Sequence, residues 1–417
     1  MLFVYRILIN LVFVLSPLII LIRLFKKKED PLRFKEKFCF FSQKRKKGKI
    51  IWFHGASVGE IQSIIPIIEK FQKNKKISQI LLTSNTLSSA KVISKIKLKK
   101  VVHQFFPIDV NFISNKFLNY WKPSASFFID SEVWPNMILN LERKKIPITL
   151  INGRITKKSY LRWRFLKNLS LNLFSKFNLC FSSNAETKNF LQKLGAKNVI
   201  NLGNLKFRQS ENDKLEINSD FKNFIKSKKI WCASSTHFDE ENLCGLVHKK
   251  LKKKYKNLVT VIIPRHIHRS FSIKEDLGDL GLKVHLHDPV SKIKNDTDVY
   301  IVNSYGKTKS FYTICKNVFL GGSIINHGGQ NPLEAARFGC HILHGPNVSN
   351  FKEVYSFLNK NKISSKINGI NKMTKTLKKL FLKNKNSKQI SQKINIIGRR
   401  ILDSTYKKIS LLLKNEI

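Results

Sequence analysis

Two α/β domains, each built on a parallel sheet, are the fold this sequence predicts. Short β-type apolar runs alternate with helical stretches along most of the chain. The alternation comes in two series separated by a polar segment, and the chemically distinctive residues fall just after the strand-like runs. Strands alternating with helices imply βαβ units and parallel sheets. At 417 residues there is room for two domains of ordinary size. An apolar fraction of 42% and an aromatic fraction of 11% describe a globular protein. The expectation is therefore two Rossmann-like domains facing a cleft, with an N-terminal membrane-anchor helix ahead of them.

The anchor comes first. From Ile7 to Ile22 the chain is apolar apart from Asn10, Ser16 and an internal Pro17, and Arg23, Lys26, Lys27 and Lys28 come at once after it. About sixteen to twenty residues is marginal for crossing a bilayer, so the run either spans or embeds. A buried core helix is the competing reading. No small-residue cleavage pattern follows, which argues for a retained anchor over 1–25. The basic flank places the rest of the chain on the cytoplasmic side.

The first series predicts strands at 50–53, 80–84, 101–106, 126–129, 147–151, 179–182 and 199–202. Residues 209–219, rich in Asn, Asp, Ser and Glu, read as a linker. Strands resume at 230–233, 258–263, 283–286, 299–302, 318–320 and 341–343. The expected domains are 26–208 and 220–417. Ligands of open α/β sheets bind at the carboxyl ends of the strands. Those ends carry His54 to Glu60, Asp130 to Asn136, Asn152-Gly153-Arg154, Gly203 to Lys206, Ser234 to His237, Pro264-Arg265-His266 and the glycine-rich stretch Gly321 to Glu334.

In His54-Gly55-Ala56-Ser57-Val58-Gly59-Glu60 a strand breaks into a tight loop and a helix start, with Ile61, Ile64, Ile65, Ile68 and Phe71 forming a helical stripe behind it. Glu60 has two readings. An acid in the first turn complements the helix dipole, worth about 0.3–1 kcal/mol. An ionised carboxylate beside a hydroxyl-bearing substrate is a general base. In the second series Asn331 suits a helix N-cap and Pro332 the first helical position. A glycine-rich loop feeding a helix start also suits an anion, and Arg265 could supply a charge-assisted fork to phosphate.

Lys and Arg number 77 against 27 Asp and Glu, a net charge of +50. Such a surface favours anionic partners: nucleic acid, anionic lipid or a phosphorylated sugar. Abundant Lys, Asn, Ile and Phe also fit an A+T-rich genome. No G-x-G-x-x-G or Walker-type loop occurs, which argues against a dinucleotide oxidoreductase or a P-loop nucleotidase. Six scattered cysteines, without a C-x-x-C pair, make neither a disulfide framework nor a zinc site. His285-x-His287 reads as one face of a strand. No D-x-D run offers a divalent-ion site, so neither metal nor cofactor is expected. No nucleic-acid-binding motif accompanies the basic charge, and no nucleic-acid partner is expected.

In order, the motifs "SVGE", "SEVWPN", "NGR", "GNLKF", "SSTHFDEE", "IPRH", "FLGGS", "GGQNPLEAA" and "GPNVSNF" resemble the 3-deoxy-D-manno-octulosonic acid (Kdo) transferases of lipopolysaccharide synthesis. The resemblance runs nearly end to end. It implies a GT-B glycosyltransferase of the inner membrane, moving Kdo from CMP-Kdo to a lipid A precursor (lipid IVA) with inversion. It also implies Glu60 as catalytic base, with Glu132 and Lys206 stabilising the transition state. Pro264, Arg265, Asn331, Pro332, Leu333 and Glu334 match the CMP-binding motifs, and backbone groups of Tyr305, Gly306 and Lys307 match a further nucleotide loop. Departures lie on the donor side. Asn303 stands where Asp is usual, Gly306-Lys307 replaces Gly-Glu, Gln330 replaces a common His, and Ile267-His268 replace Pro-Glu. The implied partners are CMP-Kdo, the lipid A precursor and the anionic membrane surface. Two alternatives are another GT-B sugar-nucleotide transferase or epimerase, and a basic nucleic-acid-binding protein.

Overall fold

The computed structural model describes residues 1–96, 98–208, 215–382 and 387–414. After an N-terminal helix, Leu2–Phe25, the chain forms two compact units. The first comprises Met1–Glu211 and Ile397–Ile417, the second Asn212–Ile396. Most of the expected linker, 209–214, lies outside the described residues.

The first unit holds β1 (Lys49–His54), β2 (Ile77–Ser84), β3 (Val101–Phe105), β4 (Ala125–Ile129), β5 (Ile148–Gly153), β6 (Leu179–Ser182) and β7 (Val199–Asn201). Their order is β3-β2-β1-β4-β5-β6-β7, and every pair is parallel. Helices cover both faces of such a sheet, so its strands read as nearly continuous apolar runs. In β1 only Lys49 is exposed, and Phe53 pairs with Leu82 on one side and Phe127 on the other. The chain winds outward from β1 and then restarts at β4. The gap between β1 and β4 is thus the topological switch point, the usual ligand crevice of an open α/β sheet. Behind it the helix Val58–Phe71 buries its predicted stripe of Ile61, Ile64, Ile65, Ile68 and Phe71. On the other face Trp52 packs against Phe117 and Phe128 at ring distances of 5.0 and 5.3 Å.

The second unit holds β8 (Lys229–Thr236), β9 (Leu258–Pro264), β10 (Val284–Leu286), β11 (Val299–Ile301), β12 (Asn317–Leu320), β13 (His341–His344) and β14 (Ser364–Lys366). The order β10-β11-β9-β8-β12-β13-β14, again parallel, puts its switch point between β8 and β12. Trp231, Val247, Leu251, Ile262, Phe319 and Leu377 belong to its core.

Two features differ from expectation. Strand β14 had no sequence signal. The C-terminal end, expected with the second domain, belongs to the first unit: the stretch Ile397–Ile417 contains the last turns of the helix Ser387–Leu413. Tyr406 packs on Phe71 at 4.7 Å, Lys70 pairs with Asp403 at 2.7 Å, and Gly203 has no room for a Cβ because Ile401 would lie 2.9 Å away.

Phe117→Ala should lower the unfolding free energy by about 3–5 kcal/mol, because Trp52 would then border a cavity. Thermal or urea unfolding of the detergent-solubilised protein measures this.

Candidate active site

Strand β1 ends at His54, and Ser57 caps the following helix by accepting from Glu60 N at 3.4 Å. The Glu60 carboxylate folds back on the same loop. One oxygen accepts from Ala56 N at 2.7 Å, the other from Ser57 Oγ at 2.8 Å. Gly55 leaves room for that fold, since a Cβ there would stand 3.2 Å from Glu60 Cβ. Burial pushes the Glu60 carboxyl up to about 7. The charges of Asp130 and Glu132 add to the rise, while the hydrogen bonds from Ser57 and Ala56 oppose it.

Across the switch point, β4 ends at Ile129 and Asp130 turns the chain with a φ of +59°. Asp130 is buried and tied into the sheet: its N–H donates to Ile151 O at 3.0 Å, and its carbonyl accepts from Arg154 N at 3.0 Å. Its carboxylate binds Lys206 Nζ on one oxygen and Asn152 Nδ2 on the other, both at 2.9 Å. Asn152, itself at a φ of +56°, accepts from Leu205 N at 2.8 Å. Asn204 caps the short turn Leu205–Phe207 by accepting from Lys206 N at 2.9 Å. The ends of β4 and β5 and the turn after β7 thus converge on Asp130.

Glu132 occupies the same rim. Trp134 Nε1 donates to its Oε2 at 2.9 Å, and His54 Nε2 lies 3.3 Å from that oxygen. The His54 ring is buried, stacked on Phe106 at 3.9 Å, with Nδ1 2.9 Å from Thr83 Oγ1. Trp52 Nε1 donates to the same hydroxyl at 2.9 Å. The structure therefore gathers the predicted Glu60, Glu132 and Lys206 at one switch point. Asp130, His54, Asn152 and Trp134 sit in predicted strand-end segments, but nothing in their type or spacing marked them as the groups around Glu132 and Lys206.

In the second unit Pro264 ends β9, and Arg265 is exposed beyond it, its N–H donating to Thr236 O at 2.9 Å. Asn331 accepts from Leu333 N at 3.1 Å, and the short helix runs Leu333–Arg337, one residue later than Pro332 implied. Glu334 lies 3.7 Å from Lys309 Nζ. Tyr305 is exposed and Gly306 has a φ of +80°, with no atom near enough to crowd a Cβ. Asn303 clasps the facing loop, accepting from Asp288 N at 2.8 Å and donating to Asp288 O at 2.6 Å. An amide does both at once, and an Asp in its place could only accept.

One expectation needs correction. The first half of the glycine-rich stretch is not an open anion cradle, because a buried carboxylate already fills it. Glu240 accepts from Gly322 N (2.7 Å), Ser323 N (3.1 Å), Ile324 N (3.0 Å) and His237 N (3.1 Å). Gly321 must be glycine there, since a Cβ would stand 2.4 Å from Ser235 O. Three histidines and Arg265 gather near this loop, with the amides of Gln330 and Asn350 beside its glycines. His237 lies 4.4 Å from His327 and 6.0 Å from His266, ring to ring, with Arg265 close enough to bear on its charge. Burial, then His327, His266 and Arg265, hold the His237 imidazole down near 4. Among the described residues no group of His, Cys, Asp and Glu could hold a metal ion.

Glu240→Gln should cost about 1.5–3 kcal/mol of stability, because the amide nitrogen would face two of the four N–H donors. Urea unfolding measures the loss.

A family model described as 3-deoxy-D-manno-octulosonic-acid transferase (kdotransferase) matches residues 32–209. A 3-deoxy-D-manno-octulosonic acid transferase of Rickettsia bellii is 32% identical over 408 residues, 94% of this chain and 95% of that protein. A probable mitochondrial 3-deoxy-D-manno-octulosonic acid transferase of Arabidopsis thaliana is 34% identical over 369 residues, covering 84% and 82%. Among solved structures, a UDP-GlcNAc 2-epimerase from Neisseria meningitidis covers 88% of this chain and 100% of its own, with a TM-score of 0.58 and 15% identity. That likeness is one of fold.

Proposed function

Because this chain belongs to the family of 3-deoxy-D-manno-octulosonic acid transferases, we propose that it transfers Kdo from CMP-Kdo to a lipid A precursor, with inversion, at the cytoplasmic face of the inner membrane. The observation that carries the reading is Glu60, a carboxyl near 7 at the β1/β4 switch point beside Glu132 and Lys206. A base tuned close to neutral combines a useful ionised fraction with real proton affinity.

In the proposed reaction the acceptor sugar hydroxyl gives its proton to Glu60. Its oxygen forms the new bond to the anomeric carbon of Kdo from the face opposite the nucleotide. The bond from that carbon to the phosphate oxygen breaks, and CMP leaves with the electron pair. A single displacement needs one base and no enzyme-bound sugar, which is why inversion fits a lone base. Kdo brings its own carboxylate and CMP departs as a phosphate monoester, so anionic charge must be met by fixed cations. Lys206, oriented by Asp130, is the candidate in the first unit. In the second, Arg265 is the proposed phosphate ligand. Pro264, the Tyr305–Lys307 backbone and Asn331–Glu334 complete the proposed CMP site, and Glu334 would accept from ribose hydroxyls. Glu132, held by Trp134 and His54, is proposed to act on the developing charge at the sugar. The first unit would take the acceptor. The helix Leu2–Phe25, with a mean hydropathy of 2.6 over eighteen residues, is the proposed anchor that brings the enzyme to a membrane-borne acceptor.

Glu60→Gln should abolish transfer of labelled Kdo to a tetraacylated lipid A precursor while leaving CMP-Kdo affinity nearly unchanged. Turnover near wild type, or turnover of UDP-GlcNAc in place of CMP-Kdo, would sink the reading. Only the ionised carboxylate accepts a proton, so kcat/KM should be flat above pH of about 7 and fall about tenfold per unit below it. Ser57→Ala removes a hydrogen bond that favours the ionised form, and should move that limb to higher pH. A limb near pH 4 would mean that Glu60 is not held above its ordinary range and would overturn the reading of it as a base tuned near neutrality.

Arg265→Ala should raise the KM for CMP-Kdo about ten- to hundredfold, the equivalent of one charge-assisted hydrogen bond of about 1.5–3 kcal/mol. Unchanged affinity for CMP itself would place the phosphate elsewhere.

A further inference from the structure

The N-terminal helix is fastened to the first unit along its length. Near its start, Tyr5 OH donates to Asp109 Oδ2 at 2.7 Å and Arg6 Nε to Asn136 Oδ1 at 3.0 Å. In its middle, Phe13 meets Phe112 and Phe38 edge-on at 5.4 and 5.9 Å. Leu2, Ile9 and Phe13 pack against the core of the unit, and Ser16 and Ile20 are buried. Toward its end Arg23 pairs with the buried Glu29 at 2.6 Å.

A helix of 24 residues is about 36 Å long. Were it to cross a hydrocarbon layer of about 30 Å, its first turns would leave the membrane on the side opposite the folded unit. Tyr5 and Arg6 could not then reach Asp109 and Asn136, which are both buried in that unit. The two cations within the helix, Arg6 and Arg23, are both turned to protein partners. The opposite side is bare and, apart from Asn10, apolar: Phe3 is 74% exposed and Val14 71%, with Ile7, Leu8, Leu11 and Leu18 also open. Next to the helix Phe112, which meets Phe13, also exposes its ring, and Phe40 is exposed as well. Cations edge these residues: Lys116 lies 5.3 Å from the Phe40 ring, and Lys26, Lys27 and Lys28 come directly after the helix. An apolar face bordered by lysines fits the acyl–headgroup boundary of an anionic leaflet.

We propose that the helix Leu2–Phe25 lies in the plane of one leaflet, its apolar side in the lipid and its other side keyed to the first unit, and does not cross the membrane. The inference rests on the membrane association proposed above and adds its geometry. It has a consequence for the site. Asp109 also accepts from Asn136 N (2.9 Å) and Met137 N (2.8 Å), the start of the helix Pro135–Arg143 that comes just after Glu132 and Trp134. The lipid-facing helix and the Glu132 loop are thus tied to one buried carboxylate, which fixes where the reacting groups stand relative to the leaflet.

All six native cysteines are buried, so a reporter thiol can be read without removing them. The full chain would carry a short hydrophilic extension with one cysteine ahead of Met1. Right-side-out and inverted vesicles from expressing cells would then be treated with a membrane-impermeant maleimide. The expected result is a membrane-bound protein labelled in inverted vesicles and protected in right-side-out ones. Labelling from the outside of right-side-out vesicles would show a spanning helix and overturn the in-plane placement, leaving the membrane association intact. Recovery of the chain free of membranes would overturn both. A Tyr5→Phe, Arg6→Leu double variant adds a second reading. It should stay membrane-bound, yet lose at least severalfold in kcat with little change in KM for CMP-Kdo. Unchanged kcat would overturn the link between helix and site.

Discussion

At the end of β4, Asp130 turns the chain with a positive φ, and its two carboxylate oxygens hold Lys206 and Asn152. A non-glycine residue in that backbone region is strained, and such strain persists only where the surroundings over-determine it. Here they do. The Asp130 backbone is bonded to Ile151 of β5 and to Arg154 just beyond it, and Asn152, equally left-handed, bridges to the turn that carries Lys206. Removing the carboxylate would break the 2.9 Å contact to Lys206 and take away a charge that helps raise Glu60. An anchor of Lys206 and part of the charge around Glu60 therefore come from one side chain that need not touch a substrate.

The second unit solves a similar problem with the opposite polarity. At its β8/β12 switch point a run of backbone N–H groups points inward, an arrangement that binds anions readily. The protein supplies its own anion, Glu240, and so fixes the glycine-rich loop before any ligand arrives. A loop already organised needs less ordering on binding. The cost is that these amides are occupied, so the proposed recognition of a nucleotide phosphate would fall to groups around the loop. Arg265 is exposed, and the neighbouring histidines line the same rim.

Both sheets were legible because parallel strands covered on two faces have to be apolar throughout. Runs such as Lys49–His54 and Leu258–Pro264 satisfy that condition almost residue by residue. Strand β14, Ser364–Lys366, was illegible for the same reason: three polar residues at a sheet edge have one neighbour and no such demand. The return of the C-terminal helix to the first unit was equally hidden, since an amphipathic helix shows which face it buries but not against what. Glu60, Glu132 and Lys206 stood out by motif. Asp130 beside them did not, nor did Glu240 in the second unit, because both act through backbone groups and long-range hydrogen bonds that local pattern does not encode.

Glu60 shows why its two readings in the sequence were never true rivals. The capping contacts from Ser57 and Ala56 favour the ionised carboxylate, whereas burial and the charges of Asp130 and Glu132 favour the neutral acid. With the cap alone, the carboxyl would sit near or below its ordinary 4.5, and its conjugate base would be weak. With burial and crowding alone, it would be held higher still, and less of it would be ionised near neutrality. The value near 7 is the balance of the two, so the helix cap is part of what would make this residue a usable base.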